Sequence, residues 1–224
     1  MIWFRPRTGY GLVLLLIIST YVLALLVRDR WQLAALLLVQ TITVWQALRV
    51  SWARSGMRYA AAGVFLLALA AALLNLVVSH DSPLFGWTFL AASALYLLAP
   101  FAIVRHLGSQ RGVDKQTLLG ALAAYLLIGM AFGFAYQCLA VIQPGPLFGD
   151  DGEPGMSDSL FFSFVTMTTT GYGDLVPATD PARTIAVVEA LTGSLFLVTA
   201  VAKVVENWRP RNWDNGDGSR ARDE

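Results

Sequence analysis

The sequence predicts an all-α polytopic membrane protein with six transmembrane helices and one short re-entrant helix between the fifth and the sixth. Three observations lead to this fold class. Hydrophobic residues make up 56% of the 224 residues and charged residues only 14%, against about a quarter in soluble domains. Six apolar segments are close to the ~20 residues that cross the hydrocarbon core of a bilayer. Lys and Arg side chains collect in the connections on one side of these segments.

The first four apolar segments lie within residues 1–110 and predict an N-terminal four-helix membrane bundle. A basic start followed by an apolar run also fits a cleaved signal peptide. However, no small-residue cleavage site follows, and Arg28-Asp29-Arg30 leads at once into the next segment, so we expect a retained helix. The four segments are Gly9 to Val27, Trp31 to Leu48, Tyr59 to Val78 and Leu84 to Val104.

Residues 111–207 hold the remaining two spans and a short apolar run between them. The fifth span is longer than a bilayer requires and is expected to tilt. The short run has about 12 residues, too few to cross a membrane, which favours a re-entrant helix. Ser157 is a candidate N-cap of this helix, and Asp158 would place its charge in the first turn. The three segments are Leu118 to Ile142, Ser157 to Thr168 and Thr184 to Val205.

The distribution of basic residues predicts that both termini lie in the cytoplasm of a multi-pass protein of the plasma or bacterial inner membrane. If the N-terminus is inside, all but three of the 16 Lys and Arg residues fall on the inner side, and the exceptions are Arg28, Arg30 and Arg183. Residues 208–224 then form a short cytoplasmic tail, polar enough to be disordered. Acidic residues gather at the outer side of the last two spans. They form either a surface that attracts cations or an ordinary solvated loop.

A stretch of threonines and glycines, Thr168–Asp174, lies between the short run and the last span. In an extended strand, successive carbonyl oxygens point to opposite sides. If alternate residues adopt left-handed dihedrals, the oxygens can all turn to one side, and glycine reaches that region without a Cβ penalty. Gly171 and Gly173 have this alternate spacing. Four such segments around one axis would surround a cation with oxygens, and the Thr169 hydroxyl would add a further ring.

The sequence TTGYG at residues 169–173 resembles the TVGYG selectivity filter of tetrameric potassium channels, and Asp174 matches the acid that usually follows it at the outer mouth. Thr170 is the one departure, because valine is the commonest residue there. It leaves the backbone carbonyl in place, so we expect the ion preference to survive. The resemblance covers roughly Leu118 to Asn207 and implies a passive potassium-selective pore. The K⁺ ligands that it implies are Thr169, Thr170, Gly171, Tyr172 and Gly173.

The first four spans resemble the voltage-sensing bundle of six-span channels only in number. A voltage sensor needs several arginines within the fourth span, because one charge moved across 100 mV supplies only about 2.3 kcal/mol. The segment from Leu84 to Val104 contains none, and Arg105 lies just past its end. We therefore expect a peripheral bundle that packs against the pore and meets lipid. The resemblance is to prokaryotic-like six-span members with neither an arginine array nor a C-terminal regulatory domain.

The last span should line the inner part of the ion pathway. Gly193 resembles the hinge glycine of potassium-channel inner helices, although close helix packing explains a glycine there equally well. Helical spacing places Ser194, Leu197 and Val201 on one stripe, which predicts a cavity lining and an apolar gate.

Glu189 is the one acid inside the last span. A carboxylate within a membrane is expensive and is usually partnered. We predict that Glu189 lies behind the filter, near hydroxyls such as those of Ser163 or Thr166, as a structural clamp and not as an ion site.

One filter sequence per chain predicts a symmetric oligomer, and the resemblance implies a homotetramer. The expected partners are K⁺ ions, membrane lipid and copies of the chain, with no nucleic acid and no cofactor other than the permeant ion. Two alternatives lie within the channel class, namely a non-conducting or modulatory subunit and a weakly selective cation channel. An enzyme or a secondary transporter is disfavoured, since the sequence shows no metal-ligand cluster, nucleophile–base pair or phosphate-binding loop.

Overall fold

The structure is a computed structural model of the chain. It describes residues 9–26, 30–50, 62–63, 66, 84–108, 115–149 and 154–206. Every secondary-structure element in these ranges is a helix. One isolated antiparallel β-bridge pairs Phe148 with Pro177. The all-α class is therefore confirmed for this part of the chain. The predicted third span, Tyr59 to Val78, lies almost wholly outside it, and residues 208–224 lie outside it entirely.

Six helices form in the described ranges, and each of them falls on a segment predicted to be helical. They are α1 (Gly9–Leu26), α2 (Arg30–Val50), α3 (Leu84–Gly108), α4 (Lys115–Ile142), α5 (Met156–Met167) and α6 (Asp180–Glu206). By length and composition, α4 and α6 can each cross a membrane, whereas α5 has 12 residues and is too short. Helix α6 begins before the predicted Thr184 because Pro181 fits the first turn, where its missing N–H is not needed.

Helix α4 is the central element on which the other helices assemble. Among the described helices, α1 and α3 pack directly on α4, and α2 packs on α1 and α3. In α4, 61% of the apolar membrane-length window is buried. The fully buried side chains along it include Ala123, Ala124, Leu127, Met130, Phe134 and Tyr136. The hydrophobic core of the chain therefore surrounds α4.

Helix α1 runs alongside α4 and reaches α5. Near the start of both long helices, the Tyr10 amide donates to Oε1 of Gln116 at 3.3 Å. Eleven residues further along α1, the Tyr21 ring meets the Phe164 ring of α5 edge-on, with centroids 5.5 Å apart. Helix α1 therefore contacts both α4 and α5.

Helix α6 is much less enclosed than α4. Within the described ranges it packs only on α4 and α5, and 11% of its membrane-length window is buried. Large apolar side chains consequently stay exposed along its length. They include Val187, Val188, Leu191, Leu195, Val198 and Val205.

The first turn of α5 corrects one prediction. Gly155, and not Ser157, is the N-cap, with extended dihedrals of φ −71° and ψ 171°. The Gly155 amide donates to Oδ2 of Asp158 at 2.9 Å. The helix can begin at this glycine because a carboxylate three residues on reaches back to its free amide. Ser157 lies inside the first turn, while Asp158 is in the first turn as predicted.

Candidate functional site

The loop after α5 has a backbone of alternating hand. Gly171 and Gly173 have φ values of 56° and 85°, and Thr169 has a φ of 59°. The expected left-handed alternation is therefore present at both glycines, and it extends one step further to a threonine. Thr169 is the only non-glycine residue with positive φ in the described ranges, and such a conformation costs about 1–2 kcal/mol for a residue with a Cβ. Such an alternation allows successive carbonyl oxygens to turn towards the same side.

Hydrogen bonds fix the start of this loop on the end of α5. The Thr169 amide donates to the Thr166 carbonyl at 3.0 Å, and the Thr170 and Gly171 amides donate to the Val165 carbonyl at 2.9 and 3.3 Å. These bonds satisfy carbonyl groups that a helix end leaves without partners. In contrast, no residue that the structure describes donates a hydrogen bond to the carbonyl oxygens of residues 169–173. The amides of Thr169, Thr170 and Gly171 are thus bonded inside the chain, whereas the carbonyl oxygens of the loop have no donor among the described residues.

The side chains of the threonine run hold one another. The Thr168 hydroxyl lies 2.6 Å from the Phe164 carbonyl, to which it donates, and 2.9 Å from the Thr170 hydroxyl. A valine in place of Thr170 would lack this second contact. The departure from the commoner sequence therefore adds a local side-chain bond at the base of the loop.

The outer end of the loop is open to solvent in the single chain. Tyr172 is 72% exposed, and its ring lies nearly parallel to that of Phe161, at 6° with centroids 6.1 Å apart. Asp174 is exposed, and its Oδ1 accepts the amide of Leu175 at 3.0 Å. The carboxylate predicted at the outer mouth therefore ends beside the loop with its charge unpaired by any described cation.

The chain that leaves the loop is joined to the connection before α5. The Gly149 amide donates to the Val176 carbonyl at 3.1 Å, and the Ala178 amide donates to the Leu147 carbonyl at 2.9 Å. These two bonds form the isolated bridge and fix the path of the backbone between the loop and α6.

Glu189 lies behind the loop, fully buried on α6. Its carboxyl oxygens contact the Ser163 hydroxyl at 2.5 Å and the Tyr136 hydroxyl at 2.8 Å. The predicted contact with Ser163 is present. No hydrogen bond joins Thr166 to Glu189 in the described part of the chain, and the carbonyl of Thr166 instead accepts the Thr169 amide.

Met167, the last residue of α5, is held between two helices at glycines. A Cβ built on Gly129 would lie 2.8 Å from Cε of Met167, and one built on Gly193 would lie 2.6 Å from its Cγ and 3.1 Å from its carbonyl oxygen. The same carbonyl accepts the Tyr125 hydroxyl at 3.2 Å. Gly193 sits in an unbroken stretch of α6, so its observed role is close packing, while a hinge stays a prediction.

The predicted stripe of Ser194, Leu197 and Val201 lies on α6 below Gly193. Each of the three side chains is exposed in the single chain, Val201 to 58%. Their assignment to a cavity lining and gate stays a prediction.

Sequence reasoning missed the tyrosines of α4. Tyr136 and Tyr125 read as apolar members of a long span, yet their hydroxyls bind Glu189 and Met167. A buried tyrosine hydroxyl needs a hydrogen-bond partner. The neighbouring segments offer two such partners, the carboxyl group of Glu189 and the backbone carbonyl at the end of α5. This requirement is the signal that could have found them.

Known proteins resemble this chain over the same region. The ion channel family matches residues 121–208. An inward rectifier potassium channel, Kirbac3.1 of Paramagnetospirillum magnetotacticum, is 38% identical over 82 residues, which is 36% of this chain and 25% of that protein. Two-pore potassium channel 4 of Arabidopsis thaliana is 40% identical over 94 residues, 42% of this chain and 32% of the relative. Protein LctB of Bacillus caldotenax is 33% identical over 93 residues, 39% of this chain and 69% of the relative.

The extent of these matches is uneven. The chain spans a quarter of the length of Kirbac3.1 and more than two thirds of the length of LctB. No solved structure gives a significant match. The matched region includes α5, the alternating loop and α6, together with nearly all of α4. The chain therefore belongs to the ion channel family, alongside the potassium channels that share this segment.

Proposed function

We propose that the protein is a potassium channel of the cell membrane, through which K⁺ passes passively along the backbone oxygens of residues 169–173. The observation that carries the proposal is the alternation of left-handed dihedrals along this loop, in the segment that the channel relatives share. Membership of an ion channel family makes the protein a channel and not an enzyme.

The coordination of K⁺ follows from the geometry of the loop. A K⁺ ion leaves its water shell only if protein oxygens replace it. The alternation of dihedrals supports carbonyl oxygens that all turn to one side, and none of the described residues donates a hydrogen bond to them. Since one chain offers one column of oxygens, a closed cage requires several copies around an axis. We infer a homotetramer, which the exposed loop and the exposed apolar face of α6 support.

The electrostatics of the site favour a cation. Helix α5 ends at Met167, directly before the loop, and a helix C-terminus carries roughly half a negative charge. Four such ends would face the same axis in a tetramer. Asp174 adds a carboxylate at the outer entrance, where it would raise the local concentration of K⁺. Deeper along the pathway, Leu197 and Val201 would form the apolar constriction.

The proposed topology places α4 and α6 across the bilayer, α5 as a re-entrant helix, and both termini in the cytoplasm. The length and apolar composition of α4 and α6 support it, as does the bias of Lys and Arg towards one side. In the N-terminal bundle, α1 exposes Leu15, Ile18 and Leu26. These side chains suit a surface that faces lipid.

Ion flux through the purified chain in liposomes tests the proposal. With K⁺ inside and Na⁺ outside, we expect fast K⁺ efflux that a K⁺ pore blocker such as Ba²⁺ suppresses, and little exchange when Na⁺ replaces K⁺. No flux would favour a non-conducting subunit, and equal K⁺ and Na⁺ flux would favour a weakly selective pore; either result would overturn the proposal.

A pair of glycine variants locates the pathway. Gly173→Ala forces a Cβ into a backbone with φ 85°, and Gly145→Ala does the same at φ 94° in the connection before α5. Neither added Cβ lies within 4 Å of another atom of the described residues, so the two strains are alike at about 1–2 kcal/mol per chain. We expect Gly173→Ala to lose K⁺ over Na⁺ selectivity and Gly145→Ala to keep it. Equal behaviour of the two variants would contradict the assignment of the filter.

A further inference from the structure

Two hydroxyl oxygens contact the carboxyl group of Glu189, and one of them also contacts a backbone carbonyl oxygen. Oε1 of Glu189 lies 2.5 Å from Oγ of Ser163. Oγ of Ser163 also lies 2.7 Å from the carbonyl oxygen of Gly129. On its other side, Oε2 of Glu189 accepts the Tyr136 hydroxyl at 2.8 Å. The contacts link α6 with both α5 and α4, and Glu189 and Ser163 are fully buried.

The number of hydrogens decides the state of this group. A serine hydroxyl has one hydrogen to donate, and a backbone carbonyl can only accept. Ser163 therefore cannot donate both to Gly129 and to an ionised Glu189. Both contacts are hydrogen bonds only if Glu189 carries a proton on Oε1 and donates it to Ser163, which then donates to Gly129. An ionised carboxylate would leave two oxygens within bonding distance and no hydrogen between them.

The surroundings of the carboxyl supply no compensating charge. In the described part of the chain, no Lys, Arg or His forms an ion pair with Glu189. The titratable groups of α4 that face it are the neutral hydroxyls of Tyr136 and Tyr125. From α5 it meets the Ser163 hydroxyl, while the acid of that helix, Asp158, is exposed near its other end. A buried carboxylate without a cation is costly, and protonation removes that cost.

We infer that Glu189 is a neutral carboxylic acid at neutral pH and that, in this form, it is a positioning residue for the end of α5 that leads into the loop. Ser163 lies four residues before Met167, one turn from the helix end. The proton holds that turn to α4 and α6 at once. Only the effect on ion flux rests on the proposed function; the protonation state does not.

The inference has a pH dependence with a definite sign. The relay from Glu189 through Ser163 to Gly129 is complete while the carboxyl is protonated, at acidic and neutral pH. When alkaline pH removes the proton, one contact of Ser163 loses its hydrogen, and the base of the loop is less firmly held. K⁺ flux should therefore fall reversibly at alkaline pH.

Infrared spectroscopy of the full chain in liposomes tests the protonation state directly. If the liposomes are made of ether lipids, which have no ester carbonyls, a carbonyl stretching band of a protonated acid in an apolar setting should come from Glu189. We expect this band in the wild-type protein and in Asp180→Asn, which makes the same chemical change at an exposed acid of α6. It should vanish in Glu189→Gln. Absence of the band from the wild type, or its persistence in Glu189→Gln, would overturn the inference whether or not the protein conducts ions.

The same variants separate positioning from mere folding. The amide of Glu189→Gln can donate to Ser163 and accept from Tyr136, as the neutral acid does. We expect the Glu189→Gln variant to keep K⁺ flux within about twofold of the wild type and to lose the decline of flux at alkaline pH. Glu189→Ala should lower K⁺ flux about tenfold, because it leaves a buried hydrogen bond unmade. Asp180→Asn should keep both flux and the alkaline decline. An alkaline decline that persists in Glu189→Gln would refute the role of this proton.

Discussion

Replacing Gly193 with alanine tests whether this glycine of α6 serves close packing. The added Cβ would lie 2.6 Å from Cγ of Met167, 3.1 Å from its carbonyl oxygen and 3.6 Å from its Cα. The first distance is shorter than carbon atoms tolerate, and two of the three atoms belong to the backbone. The overlap therefore cannot be relieved by turning the tip of a side chain. Either α6 or the end of α5 must move.

Two opposing effects set the size of the change. Alanine favours a helix over glycine by about 1 kcal/mol, while overpacking a well-filled site costs about 1–3 kcal/mol. We expect the overpacking to prevail, with a net loss of about 1 kcal/mol per chain and a weaker preference for K⁺ over Na⁺, because Met167 is directly followed by the loop. Thermal unfolding in detergent measures the first effect, and the reversal potential in planar bilayers measures the second.

Gly11→Ala is the matched control for this variant. Gly11 is also in a helix, α1, and a Cβ built on it lies within 4 Å of no atom in the part of the chain that the structure describes. Here only the helix preference acts, so we expect a gain of up to about 1 kcal/mol and unchanged selectivity. If Gly193→Ala matched this control in both measurements, the packing role would be refuted and a hinge would become the better explanation of the glycine.

Two further substitutions test contacts near the loop. Tyr21→Ala removes the ring that meets Phe164 and should lower the free energy of unfolding by about 2 kcal/mol or more and weaken K⁺ selectivity. Ile18→Ala, on the exposed face of the same helix, should change little. Equal effects of the two variants would contradict a role of the N-terminal helices in supporting the pore. Thr170→Val removes the hydroxyl that contacts Thr168 and should lower the free energy of unfolding by about 1 kcal/mol. The reversal potential should stay unchanged, since the backbone carbonyl remains. A shifted reversal potential would show that the hydroxyl takes part in selecting the ion.

The sequence predicted the parts of this structure that depend on local pattern. The apolar segments that lie within the described residues formed helices where they were expected, because their ends are marked by charged or turn-forming residues. The alternation at Gly171 and Gly173 was predictable for the same reason, since glycine spacing constrains the backbone locally. Thr169 was not predicted to be left-handed, because a threonine gives no such signal. Its conformation comes from the neighbouring amides, which bond back to α5.

The contacts between segments distant in the sequence could not be predicted in the same way. Glu189 was expected to need a hydroxyl, and Ser163 was one of two candidates, but the choice depends on how α6 is rotated against α5. The same rotation decides that Thr166 is left without the contact. The contact between Tyr21 and Phe164 depends on how α1 packs along α4. Because α1 has no strongly polar face, its sequence gives little indication of which side faces α4.

The loop of residues 169–173 is supported on its own chain from one side only. The amides of Thr169, Thr170 and Gly171 donate to carbonyls of α5, and Met167, which precedes the loop, packs closely against Gly129 and Gly193. These contacts offset the strain of Thr169, since each buried hydrogen bond contributes roughly 1 kcal/mol against a conformational cost of about 1–2 kcal/mol. The carbonyl side has no such support within the described residues. A ligand that binds only an assembled ring stabilises the ring by its own binding free energy, so in the proposed tetramer K⁺ occupancy and subunit assembly should reinforce one another.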